Sequence, residues 1–223
     1  MVAFCADVGQ EDDIVGLFEA VHQRYGRLDG LVNNAAVILE AQPFLDESPD
    51  EFARLMDVNV MGVVHGIRAF LPILLQQEEG HVVNTGSAAC FEALPGMAAY
   101  GASKHAVLGI SEALYREMQA IGSNVGVSVL IPAGTVNTNI MRSDRNFPGG
   151  APAVERDPVS MMIHAGFTHA FSQGNDPSVT VSTLLDGIRE GRFMISDDMS
   201  QCADWAKHPT ALGAGENPTW PPA

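Results

Sequence analysis

Basic residues are scarce in this sequence. Lys and Arg number 12 against 27 Asp and Glu, a formal net charge of −15, and the only lysines are Lys104 and Lys207. Binding nucleic-acid phosphates takes clustered Lys and Arg, so no nucleic-acid partner is expected. The same deficit argues against an anionic membrane surface. Cysteine is equally sparse: Cys5, Cys90 and Cys202 lie far apart and form no C-x-x-C. That pattern argues against a disulfide framework or a thiolate zinc site and fits reduced thiols in a cytoplasm. No apolar run approaches the roughly 18 residues of a membrane span. The first residues carry neither the positive segment nor the long apolar core of a signal peptide. Neither G-x-S-x-G nor H-E-x-x-H occurs, which weighs against a serine hydrolase and against metal-assisted hydrolysis.

What is present supports a sizeable core. Hydrophobic residues make up 46% of the 223 positions and charged residues 17%, the balance of a folded domain rather than a disordered chain. Val2–Ala6 predicts a short strand ending at Asp7-Val8-Gly9. Ile14, Leu17, Phe18 and Val21 share one helical face, and Gly26 is a fair stop. Leu28–Val32 predicts a second strand. Ser48 and Glu51 form a capping-box pattern with Pro49 at the first helical position, opening a long apolar helix that Pro72 kinks or ends. His81–Thr85 and Gly126–Ile131 predict further strands, and Tyr100–Ile121 a helix between them. Val179–Gly191 predicts a helix, Phe193–Ser196 a strand, and the tail from Thr210 an irregular segment. Strands alternating with helices at this spacing imply an α/β fold with a parallel sheet covered on both faces.

The sharpest chemical signal is Tyr100-Gly-Ala-Ser-Lys104. Residues four apart on a helix share a face. A tyrosine hydroxyl titrates near ~10 and is a poor base at neutral pH, and a nearby ammonium favours the phenolate. Such a pair can pass a proton to or from an alcohol or carbonyl oxygen. Ser87 closes the strand running from Gly80, at the sheet end where open α/β folds bind ligands, and its hydroxyl can bond a substrate oxygen. Asn33-Asn34-Ala35-Ala36 follows another strand end, where small residues let backbone approach a ligand. Asn59 lies within an apolar helix and needs a partner there, whether structural or functional.

In this order, these residues resemble the short-chain dehydrogenase/reductase family. Asp7-Val8 is similar to its acidic residue near the adenine, Asn33-Asn34-Ala35-Ala36 to its N-N-A-G turn, and Asn59-Val-Met-Gly62 to its helix asparagine. Ser87, Tyr100 and Lys104 match its catalytic serine and Y-x-x-x-K pair. Pro132-Ala-Gly-Thr-Val136-Asn-Thr138 resembles its segment beside the nicotinamide, with one extra residue. The resemblance implies a Rossmann-like, doubly wound parallel sheet, an NAD or NADP cofactor, and interconversion of an alcohol and a carbonyl. It assigns catalysis to Asn59, Ser87, Tyr100 and Lys104. It assigns cofactor contacts to Asp7, Val8, Asn34, Ala35, Ala36, Tyr100, Lys104, Pro132, Gly134, Val136 and Thr138. It further implies that Lys104 lowers the pKa of Tyr100, and a homodimer or homotetramer.

The family's opening βαβα, with its glycine-rich turn, has no counterpart here, so the resemblance is to an N-terminally truncated member. The expected organisation is a partial nucleotide-binding domain over 1–140, followed over 141–223 by a substrate lid, a last helix and strand, and a tail. An apolar alcohol or ketone is the expected substrate, because Met161, Met162, Phe167 and Phe171 lie in the lid. The alternative is an inactive interaction or scaffold protein, because the phosphate-binding turn is absent.

Overall fold

The computed structural model describes residues 2–132, 135–146 and 158–218. Among these residues four strands form one sheet in the order β1 (Gly30–Asn33), β2 (Gly80–Thr85), β3 (Val125–Leu130), β4 (Met194–Ile195), each pairing parallel. Parallel neighbours need crossovers, and helices supply them. α2 (Pro49–Met56) and α3 (Gly62–Leu74) join β1 to β2, and α4 (Ala98–Ala120) joins β2 to β3. α5 (Pro158–Ser172) and α6 (Pro177–Arg189) lie before β4, with α7 (Met199–Trp205) and α8 (Lys207–Gly213) after it. α1 (Glu11–Tyr25) precedes β1.

Alternating valines show why the sheet is covered twice. Val82 packs with Leu74, Leu114 and Val127 beneath α3 and α4, while Val83 packs with Leu130, Leu184 and Ile195 beneath α6. Successive strand side chains point to opposite faces, so a strand with both valines fully buried belongs inside a three-layer sandwich.

Several expectations need correction. Val2–Ala6 forms no strand. It has the right residues, but a strand requires a neighbour for its ladder, and no described strand lies beside it. The outer edge of β1 is likewise without a partner strand among the described residues. Ser48 makes no side-chain cap bond, so the capping box does not close, although its carbonyl accepts Phe52 N–H at 2.9 Å. Pro72 does not end its helix, which runs on to Leu74. The tail also forms α8 over positions expected to be irregular.

The segment Pro49–Leu74 is one continuous 26-residue helix, interrupted by a π-helical turn at Asp57–Met61. By length and composition alone it could cross a membrane. Here its Leu74, Val63 and Leu55 are buried within the domain, and it packs against the sheet as a core helix.

Candidate active site

Ser87, Tyr100 and Lys104 line one cleft of about 720 Å³ at the carboxyl ends of the strands. β2 delivers Ser87 just past Thr85, and the first turns of α4 deliver Tyr100 and Lys104. Ser87 caps a short 3-10 turn (Ala88–Cys90), its oxygen accepting Ala89 N–H at 3.3 Å. The hydroxyl proton is left to donate, and the Ser87 side chain hydrogen-bonds Tyr100.

Lys104 is 3% exposed, and its Nζ donates to the Thr85 carbonyl at 2.8 Å. That ammonium sits 5.7 Å from the centre of the Tyr100 ring. Burial pulls the Lys104 pKa down to about 8, partly opposed by Cys90. Burial pushes the Tyr100 phenol up to about 12, with the Ser87 hydrogen bond opposing and Cys90 adding to the rise. In the free chain the Tyr100 phenol thus stands above, not below, its ordinary value. One ammonium N–H goes to the Thr85 carbonyl, and desolvation of the phenolate sets the direction at Tyr100.

Asn59 is 1% exposed at the π-helical turn. Its Oδ1 accepts Val37 N–H at 2.8 Å, and its Nδ2 donates to the Val37 carbonyl at 2.9 Å and to Ser103 Oγ at 3.1 Å. Ser103 in turn donates to the Tyr100 carbonyl at 2.8 Å. Both amide protons are committed, and the Asn59 side chain ties the Val37 backbone to Ser103 on α4.

The remaining residues split into two groups. Asn34, Ala35, Ala36, Pro132, Val136 and Thr138 line the large cleft with the catalytic trio, and Thr85 Oγ1 fixes Asn34 Oδ1 at 3.0 Å. Val8 lies instead in a smaller cleft of about 110 Å³ that shares Asn34 and Ala35 with the first. Asp7 lines neither; its carboxylate pairs with Arg54 at 2.9 Å and accepts Gly9 N–H at 3.0 Å. Gly62 allows the Val8 loop to close on the helix, since a Cβ there would meet Val8 Cγ2 at 2.8 Å. Gly134 lies outside the described residues.

Sequence reasoning missed Thr85, whose carbonyl and hydroxyl each hold a site residue. It also missed a second cavity of about 190 Å³ behind Ser87 and Tyr100, lined by Glu92, Leu94, Met97, Phe167, Phe171 and Trp205 among others. Phe167 and Phe171, grouped on the lid by their spacing, do face it. Glu92 and Trp205 gave no periodic signal, because each enters from a separate turn or helix.

Comparison with known proteins follows the same outline. A model of the short chain dehydrogenase family matches residues 1–148. An oxidoreductase of Staphylococcus saprophyticus is 38% identical over 135 residues, covering 60% of this chain and 54% of its own length. Estradiol 17-beta-dehydrogenase 11 of Mus musculus is 30% identical over 193 residues, covering 86% and 63%. The chain thus spans about half the length of the first of these curated relatives. The crystal structure of a short chain dehydrogenase/reductase from Burkholderia phymatum in complex with NAD superposes with a TM-score of 0.90 at 31% identity, covering 98% of this chain and 78% of that one. A metagenomic short-chain oxidoreductase in complex with NADP gives 0.55 at 29%, covering 63% and 62%. The fold is the Rossmann-like α/β fold of these neighbours.

Proposed function

We propose, because the chain belongs to the short-chain dehydrogenase family, that it serves an oxidoreductase interconverting an alcohol and a carbonyl with NAD or NADP. The convergence of Ser87, Tyr100 and Lys104 on one cleft carries this reading.

The residues fit the nicotinamide-ribose half of such a cofactor. Lys104 is buried with three donors and a single described acceptor, the Thr85 carbonyl, so its remaining N–H groups would meet ribose hydroxyls. Asn34, Ala35, Ala36, Pro132, Val136 and Thr138 would form the walls, with Asp7 and Val8 farther off toward the adenine. When bound, the nicotinamide accepts or supplies the hydride.

The chain's own part is the proton. Ser87 donates a hydrogen bond to the substrate oxygen, and Tyr100 passes its phenolic proton to that oxygen as it gains charge. A phenol near 12 is still a far stronger acid than an alcohol, so reduction of the carbonyl can proceed with Tyr100 neutral. The reverse reaction needs the phenolate, which rising pH and a ligand that redirects the Lys104 ammonium would favour. Asn59 acts through Ser103 as a positioning residue. Three free cysteines fit the cytoplasm, and a homodimer or homotetramer is the proposed assembly.

Titration with NADH and NADPH, followed by nicotinamide fluorescence, tests the cofactor. Hydride transfer to a ketone panel tests the chemistry. Tyr100→Phe should lower the rate at least ~100-fold, the usual worth of a positioned acid, with nucleotide affinity unchanged. Absence of nucleotide binding would sink this reading and leave the interaction or scaffold role.

A further inference from the structure

The 190 Å³ cavity behind the catalytic pair combines features that call for a particular substrate shape. It opens beside Ser87 and Tyr100, and Phe167 and Phe171 border both it and the larger cleft. Its walls are apolar, with Leu94, Met97 and two phenylalanine rings tilted 34° at 6.2 Å between centroids. Its volume falls below the ~300–1,000 Å³ of drug-sized sites, which suits a single ring with a short substituent.

One acidic side chain breaks this apolar wall. Glu92 lines the cavity, is half-buried, and has no hydrogen bond or ion pair to any described residue. Trp205 lines the same cavity and stacks on Phe91, the residue before Glu92, at 6.4 Å. A half-buried carboxylate without a partner loses hydration and gains nothing in return. A cation seated there would restore the charge balance and lie against an indole face. The net charge of −15 would also draw cations toward the cleft.

We propose that this cavity selects an aromatic alcohol or ketone carrying a cationic amino group on the side away from the reacting oxygen, with Glu92 as the specificity-determining residue. The inference rests on the oxidoreductase reading for its chemistry but not for its binding. The ring lies between Met97 and the Phe167–Phe171 pair, its oxygen reaches Ser87 and Tyr100, and its ammonium reaches Glu92.

Two probes of matched shape test it: 4′-(aminomethyl)acetophenone and 4′-ethylacetophenone, which replaces the ammonium by a methyl group. Isothermal titration of the full chain should show the amine binding about tenfold more tightly. Glu92→Gln should abolish that preference, the amine then binding no more tightly than the ethyl probe. Equal affinities in the native chain, no binding of either probe, or a preference that survives Glu92→Gln would each overturn the proposal. Glu92-dependent binding without turnover of either probe would support the cavity assignment while counting against the oxidoreductase reading.

Discussion

At the residue scale, Lys104 is a buried cation held by the Thr85 carbonyl. Its pKa of about 8 in the folded chain lies below the ordinary 10.5 because burial disfavours the ammonium. Between those values the unfolded chain holds a proton that the folded chain has released. Stability therefore rises with pH across roughly 8 to 10.5. Tyr100 acts in the opposite sense, since its phenol is raised from 10 to about 12, and stability falls as pH climbs through that window. Urea unfolding at pH 7.5, 8.5 and 9.5 should show the rise, and Lys104→Met should flatten it. A native chain with no rise would refute the burial argument. The pairing of Tyr100 with Lys104 was legible from spacing alone, because a helix fixes which residues share a face. The pKa directions were not, because they depend on how deeply the fold buries both side chains. Asn59 was legible as a polar residue in need of a partner, while its partners, Val37 and Ser103, lie 22 and 44 positions away.

At the element scale, a buried polar chain ties the first two strands to α4. Asn33 Nδ2 donates to Asn84 Oδ1 at 2.8 Å, Asn84 Nδ2 to Ser111 Oγ at 2.9 Å, and Ser111 Oγ to the Val107 carbonyl at 2.6 Å. Gly66 on α3 makes room for it, since a Cβ there would lie 2.2 Å from Asn33 Oδ1. Gly66→Ala must push α3 off β1 or break the Asn33–Asn84 bond. The expected loss is about 1–3 kcal/mol by overpacking, read as a lower urea midpoint at unchanged m value. Asn59→Leu is a second case. It strands the Val37 N–H and carbonyl in a buried site, at about 1–3 kcal/mol for each unsatisfied group, and should lower the melting temperature more than Gly66→Ala does. A Gly66→Ala chain as stable as the native one would show that the helix yields freely. The strands β1 to β4 were legible to within a few residues because short apolar runs sit between turn signals. Val2–Ala6 carried the same signal and forms no strand, since local composition cannot report whether a neighbouring strand is there to pair with. The π-helical turn had no sequence mark at all: it arises where Asn59 turns inward to Val37 and Ser103, and where Gly62 meets Val8.

At the scale of the whole molecule, the charge that first ruled out nucleic acid becomes a stability term. Fifteen more acidic than basic residues mean that carboxylates far outnumber the cations available to pair with them. Several ion pairs that do form join side chains that are mostly exposed, such as Arg27–Asp29, Arg116–Glu112 at i,i+4, Arg189–Asp186 and Lys207–Asp204. Exposed pairs are worth ~0–1 kcal/mol each, so screening them removes little. Screening the repulsion among the excess carboxylates returns more, because a compact chain of one sign opposes its own folding. The Debye length shrinks from tens of ångströms in dilute buffer to roughly 4 Å near half-molar salt. The melting temperature should therefore rise between about 20 mM and 500 mM sodium chloride, followed by scanning fluorimetry. Chloride is the apt anion because sulfate also strengthens apolar burial and would confuse the reading. The rise should shrink at pH 5, where part of the carboxylate charge is already neutralised. A melting temperature that falls with salt at neutral pH would mean that the ion pairs, and not the excess of acid, dominate the electrostatics of the fold.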